Sequence, residues 1–163
     1  MAVTEAQIIA AVEKYCNIVT SSTAVTEYFD GGHEDLIVKV GPIISITSIT
    51  DMKATQTTSD DTVMTSTAYN FYPERGMVYR YNGDDWNEGR RRWKVVYVGG
   101  LGSIPADLQM AIDMWLDYLT SNASGALKSY KTGDDSETYL DVKDMPIQVK
   151  AVLDKYKRTV FIH

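Results

Sequence analysis

Arginines and carboxylates are the residues with most chemistry to offer. Arg90, Arg91 and Arg92 lead directly into Trp93 and Lys94, the one strongly basic run in the chain. Cations interleaved with an aromatic ring suit phosphate contact with stacking support. The same run also reads as an exposed loop entering a strand, or as an ion-pairing partner for the acidic surface of a neighbouring subunit. Gln109, Asp113 and Asp117 recur every fourth residue, so on a helix they form one polar, acidic stripe. Asp84, Asp85 and Glu88 cluster, as do Asp134, Asp135 and Glu137. Neither cluster has the alternating oxygen ligands and central glycine of a calcium loop, and both read as solvated turns. No phosphate-binding glycine loop, nucleophile elbow or zinc-protease helix is present. Paired carboxylates that meet only in space stay open as an enzymatic alternative.

Composition narrows the field further. The 163 residues carry 16 Lys+Arg against 22 Asp+Glu, a net charge of −6, and 44% are hydrophobic. That balance suits one soluble core and disfavours a protein whose main task is to grip phosphates. One cysteine, Cys16, excludes an internal disulfide, and with only His33 and His163 a histidine metal site or a Ser-His-Asp triad has too few parts. The expectation is a non-enzymatic protein without cofactor or metal. No apolar run approaches a membrane span, and the first residues lack the pattern of an export signal, so a cytosolic, membrane-free protein is expected. Eleven Tyr and three Trp against three Phe favour rings with a polar edge, the kind enriched at protein interfaces.

The elements that must position these residues are legible in outline. A helix over residues 4–19 starts at a capping box, Thr4 with Gln7, and buries Ile8, Val12, Tyr15 and Val19. Cys16 beside that stripe reads as a small buried hydrophobe. Residues 25–98 are β-rich. Residues 25–30 run into Gly31-Gly32 and return as a strand at 36–40, which predicts a hairpin. Ile43 to Thr50 is apolar on both faces, with Ile44, Ile46 and Ser48 on one and Ile43, Thr47 and Ile49 on the other. Residues 55–67 are Thr-rich and read as a surface loop or hairpin tip. Short strands follow at 69–72 and 77–81, then Asn82-Gly83 as a turn, then a strand at 93–98.

A second helix, 105–121, buries Leu108, Ala111, Ile112, Trp115, Leu116 and Leu119. Residues 122–144 form a polar connector with a short extended stretch. A third helix, 146–157, buries Val149, Val152, Leu153 and Tyr156, and an extended tail occupies 158–163. Helix, β-rich middle and helices give an α+β class, taken as one domain over 1–163.

In this order the motifs resemble the head–tail connector (adaptor) proteins of tailed bacteriophages. The likeness rests on Thr26 to Gly31, Leu36 to Val38 and Gly41-Pro42 to Ile49. It continues through Val95 to Leu101 into Ile104 to Leu108, then Lys131 to Tyr139, and the closing helix with Pro146, Val149, Leu153, Tyr156, Lys157 and Arg158. The resemblance covers most of residues 25–163. It departs at the start, where a single helix precedes the β region, and at the Thr-rich segment.

The resemblance implies a non-enzymatic virion protein of the neck, assembled in the host cytoplasm. It would form a ring of about twelve protomers, docked under the portal protein and beside a stopper or tail-completion protein, through which duplex DNA passes. A stopper or completion role in the same neck is the nearest alternative. A DNA binder using Arg90 to Lys94 is the alternative from another class. For the connector, Gln109, Asp113 and Asp117 are expected at the lumen or a neighbouring protomer. Lys157, Arg158, Val160, Phe161 and Ile162 are expected at the portal, and Arg90, Arg91 and Arg92 at an inter-subunit or phosphate contact.

Overall fold

The structure is a computed structural model that describes residues 3–53, 60–121, 127–132, 135–140 and 145–158. The chain forms two compact units. One is drawn from Met1–Ile18 and Ile104–Lys157, the other from Val19–Ser103 and Arg158–His163.

Among the described residues the first unit is built on three helices. Helix α1, Glu5–Cys16, opens on the expected capping box: Gln7 N–H donates to Thr4 Oγ1 at 3.4 Å and Thr4 N–H to Gln7 Oε1 at 3.0 Å. Asn17 then turns left-handed (φ 55°) and Ile18 N–H closes on Glu13 O at 3.1 Å. This cap ends the helix before Val19, short of the residue 19 read from periodicity, because asparagine tolerates that backbone where most residues do not. Helix α2, Ala106–Ser121, buries Leu108, Ala111, Ile112, Trp115 and Leu119. Helix α3, Ile147–Tyr156, starts after Pro146 and buries Val149 and Leu153.

The three helices pack against one another. Each fully buried aliphatic side chain adds about 1.5–3 kcal/mol, so this apolar core outweighs any single polar contact in the unit. Phenol hydroxyls fasten its rim: Tyr15 Oη donates to Asp154 Oδ1 at 2.7 Å and Tyr156 Oη to Asp107 Oδ1 at 2.5 Å. Cys16 is fully buried, its Sγ donating to Leu153 O at 3.4 Å. Burial pushes its thiol up to about 11, so it is packing rather than a nucleophile. The polar connector expected at 122–144 contains an antiparallel hairpin, β8 (Leu127–Thr132) with β9 (Asp135–Leu140).

Among the described residues the second unit holds seven strands: β1 (Thr23–Phe29), β2 (Asp35–Ile37), β3 (Ile43–Asp51), β4 (Thr62–Val63), β5 (Tyr69–Tyr72), β6 (Met77–Arg80) and β7 (Trp93–Gly99). They form two antiparallel sheets, ordered β1-β7-β3-β4 and β2-β6-β5. The expected hairpin of β1 with the strand after Gly31-Gly32 does not form. Gly31 N–H instead donates to Gly89 O at 2.8 Å and Gly32 N–H to Trp86 O at 2.6 Å, which carries the chain out of the first sheet. A β-carbon at Gly31 would meet the Asn87 carbonyl oxygen at 1.8 Å, so only glycine fits this crossing.

Strand β3 departs from simple alternation. Ile43, Ile46 and Ile49 pair with Gly99, Tyr97 and Val95, with register shifts between Ile43 and Ser45 and between Ile46 and Ser48. Two bulges convert a period of two into a period of three, so three isoleucines share the core face. Ile44 falls on a bulge and is left 45% exposed. The core gathers Leu36, Val38, Ile43, Ile49, Val78, Trp86, Trp93, Val95 and Tyr97. Trp86, inside the acidic segment read as a solvated turn, is fully buried and meets Trp93 edge-on at 4.8 Å.

Candidate functional site

Three surfaces carry the residues singled out by sequence. The first is the root of the C-terminal tail, in the second unit. Arg158 is 8% exposed and donates through Nη2 to Val38 O (2.7 Å) and Arg75 O (3.2 Å), and through Nη1 to Lys39 O (3.0 Å). Glycine makes the cradle: β-carbons at Gly41 and Gly76 would fall 2.3 Å and 1.8 Å from its guanidinium nitrogens. Burial lowers its pKa, while Tyr97 and Glu27 act in the other direction. Beside it, Tyr97 Oη donates to Glu27 Oε1 at 2.5 Å and accepts the Val40 N–H at 3.1 Å. Glu27 also accepts the Lys39 N–H. Burial and this carboxylate push the Tyr97 phenol far up.

Arg158 is therefore an internal anchor of the second unit, its guanidinium turned to backbone carbonyls. Lys157, described with the first unit, has its ammonium 4.8 Å from the centre of the Tyr15 ring. Val160, Phe161 and Ile162 lie outside the described residues.

The second surface is the outward side of α2. Gln109 Nε2 donates to Asp113 Oδ1 at 2.9 Å and to Glu5 Oε1 at 3.0 Å, while Asp113 and Asp117 are exposed. Gln109, Asp113 and Asp117 thus share one row, as their spacing predicts. Alongside runs a row that sequence reasoning missed: Met110, Met114 and Tyr118 are 55%, 41% and 41% exposed. The signal was available, since these three recur every fourth residue outside the six-residue core stripe. Large apolar side chains in a row on an outward helix face point to an interaction surface rather than to scattered exposure.

The third surface is the basic run. Arg92 is committed to Asp51, with Nε to Oδ1 at 2.7 Å and Nη2 to Oδ2 at 2.9 Å, and donates from Nη1 to Glu88 O. Arg91 lies 4.8 Å from the Tyr28 ring, and its N–H donates to Asp30 Oδ1 at 2.6 Å. The run is split: Arg92 turns inward, while Arg90 and Arg91 are exposed. Among the described residues no cluster of His, Cys, Asp or Glu could hold a metal, and no helix is long and apolar enough to cross a membrane.

Solved structures share the fold. A chain in the neck of an empty gene transfer agent particle, computed with C6 symmetry, matches with a TM-score of 0.61 at 12% identity, covering 97% of this chain and 77% of that one. A chain in the neck of the native particle, computed with C12 symmetry, matches with a TM-score of 0.58 at 12% identity, covering 97% and 81%. A chain in the virion of the native particle matches at 0.58 and 13% identity, covering 97% and 76%. No curated protein matches the chain. The α+β architecture agrees with the one read from the sequence, and so does the resemblance to phage head–tail proteins. The profile of one family, described as head completion protein, matches residues 4–159. Capped α1, the bulged sheet, α2 and α3 all lie inside that match, and the chain belongs to the head completion protein family.

Proposed function

We propose that this protein is a structural component of the virion neck, a head–tail adaptor that assembles as a ring beneath the portal and lets the genome pass. One observation carries the reading: the head completion family profile spans residues 4–159. The fold neighbours, from necks computed with C6 and C12 symmetry, support a ring of about twelve copies. The role is non-enzymatic and needs no cofactor. The net charge of −6 per chain, repeated around a channel, disfavours lasting contact with DNA phosphates and so favours passage.

Within that role the tail docks on the portal. Arg158, the residue before residues 159–163, bonds to three carbonyls. The apolar Val160, Phe161 and Ile162 then suit a groove or an added strand on the partner. Deleting residues 159–163 is expected to abolish capture of portal-bearing heads while the protomer stays folded. Undiminished capture by the deletion variant would overturn tail docking. Native mass, measured on the protein alone and with portal-bearing heads, tests the ring itself. A chain that stays monomeric on the heads would refute it.

A further inference from the structure

Two faces of this chain, one exposed on a helix and one partly exposed on a sheet, match each other in length, chemistry and charge. One is the outward side of α2, with Met110, Met114 and Tyr118 beside Asp113 and Asp117. The helix carries Asp107, Asp113 and Asp117 and no Lys or Arg. The other is the open face of the sheet β1-β7-β3-β4. Along β7 the side chains alternate, with Trp93, Val95 and Tyr97 buried in the core and Lys94, Val96 and Val98 on the opposite face. The pairing register adds Tyr28, Lys94, Thr50 and Val63 as one cross-strand row of that face, and Thr26, Val96 and Ser48 as the next. Tyr28 is 42% and Val63 62% exposed.

No carboxylate stands in either row, and its cations are Lys94 and, over Tyr28, Arg91. The surface is a sheet of small and β-branched side chains with a basic end. Unbranched methionines conform to such a surface, and helix on sheet is a standard way to bury both.

Dimensions agree. Sixteen residues make α2 about 24 Å long, and the seven residues of β7 span about 23 Å. Charge agrees as well: the acidic row of the helix has no cation of its own helix to meet, and the sheet offers Lys94 and Arg91. Because the two faces differ, contact between copies is heterologous, and a repeated heterologous contact closes into a ring when the rotation allows.

We infer that the Met110/Met114/Tyr118 face of α2 in one copy packs on the open β1-β7-β3 face of the next copy. This is the contact between copies that builds the ring, and it rests on the ring reading above. The acidic row lies at the rim of the contact, with Asp113 and Asp117 facing Lys94 and Arg91 of the neighbour.

The test is site-directed cross-linking in assembled particles. Met114→Cys and Thr26→Cys are made singly and together in the full chain, where Cys16 is buried and serves as background. Far-UV circular dichroism of the purified variants checks that both exposed substitutions leave the fold intact. A short bismaleimide should convert the double variant into a ladder of dimers, trimers and larger species. A mixture of the two single variants should stop at dimers, and each single variant alone should stay monomeric on denaturing gels. Dimers from Met114→Cys alone would show helix-to-helix contact and overturn the inference. A ring seen by electron microscopy without a ladder from the double variant would overturn it too, leaving the ring reading intact. Particles whose necks hold no ring of this chain would refute the ring reading and the contact with it.

Discussion

Arg92 grips Asp51 at two points, Nε to Oδ1 at 2.7 Å and Nη2 to Oδ2 at 2.9 Å, across 41 residues of chain. The carboxylate side chain is only 10% exposed, so its charge depends on this fork. Burial alone would raise the Asp51 pKa. The Arg92 fork, the Lys53 N–H and the charges of both residues together bring it below the usual carboxylate range. Arg92→Ala strands a nearly buried anion and should cost about 2–3 kcal/mol in urea denaturation. A carboxyl with a depressed folded pKa stabilises above its unfolded value, about 3.9, and loses that contribution as pH falls through the folded value. Stability should therefore drop more steeply below about pH 4 in wild type than in Asp51→Asn. Equal slopes would show that the fork contributes nothing.

At the alkaline end the first unit has its own titration. The hydrogen bond to Asp154, then burial and the Asp154 charge, push the Tyr15 phenol up to about 12. The hydrogen bond to Asp107 does the same for Tyr156, again to about 12. A raised folded pKa stabilises fully below the unfolded value, near 10, and that contribution disappears as pH rises through the folded value. Helical circular dichroism followed from pH 9 to about 12.5 should show wild type losing stability in that window. The Tyr15→Phe/Tyr156→Phe variant should show a shallower loss. Tyr97 is also shifted upward, so the slope shrinks without vanishing. An unchanged slope would mean that the two phenols do not fasten the helices.

How much of this was legible depends on the range of the interaction. The capping box at Thr4 and Gln7, the core stripe of α2 and the strands around residues 73–76 are local, and the sequence revealed them. The pairing of β1 with β7 joins residues some seventy apart, and no turn signal at Gly31-Gly32 reports that those glycines bond to Gly89 and Trp86. The face assignment of Ile44 and Ile46 failed because bulges break the period that such assignments assume. At the candidate surfaces, spacing gave the row Gln109, Asp113 and Asp117. It passed over Met110 and Met114, since apolar residues on a helix are read first as core. That Arg158 points inward was invisible, because its partners are carbonyls, which every residue type carries.

Those carbonyls make the Arg158 contact open to test. Hydrogen bonds from a charged donor are worth about 1.5–3 kcal/mol each and do not add fully. Arg158→Ala should destabilise the second unit by about 3 kcal/mol in denaturant. Arg158→Lys, with a single charged point, should recover only part of that loss. Gly76→Ala attacks the same contact from the other side, since its backbone is left-handed (φ 63°) and its β-carbon would fall 1.8 Å from Nη2. It should resemble Arg158→Ala in stability. A wild-type midpoint in either variant would remove the anchor from the account.

The split of the basic run sets what the protein does with duplex DNA. Arg92 is spent on Asp51 and Arg91 leans on Tyr28, while Arg90 is exposed to solvent. Each phosphate neutralised contributes about −0.9 to the slope of log affinity against log salt, and six to ten contacts make a tight non-specific binder. One or two exposed arginines on a chain of net charge −6 fall well short. Isolated protein should therefore show no retention of duplex DNA at about 150 mM salt, and Arg90→Ala/Arg91→Ala should leave that result unchanged. Retention that falls with a slope of several, and is lost in the double variant, would return the DNA-binding alternative to first place.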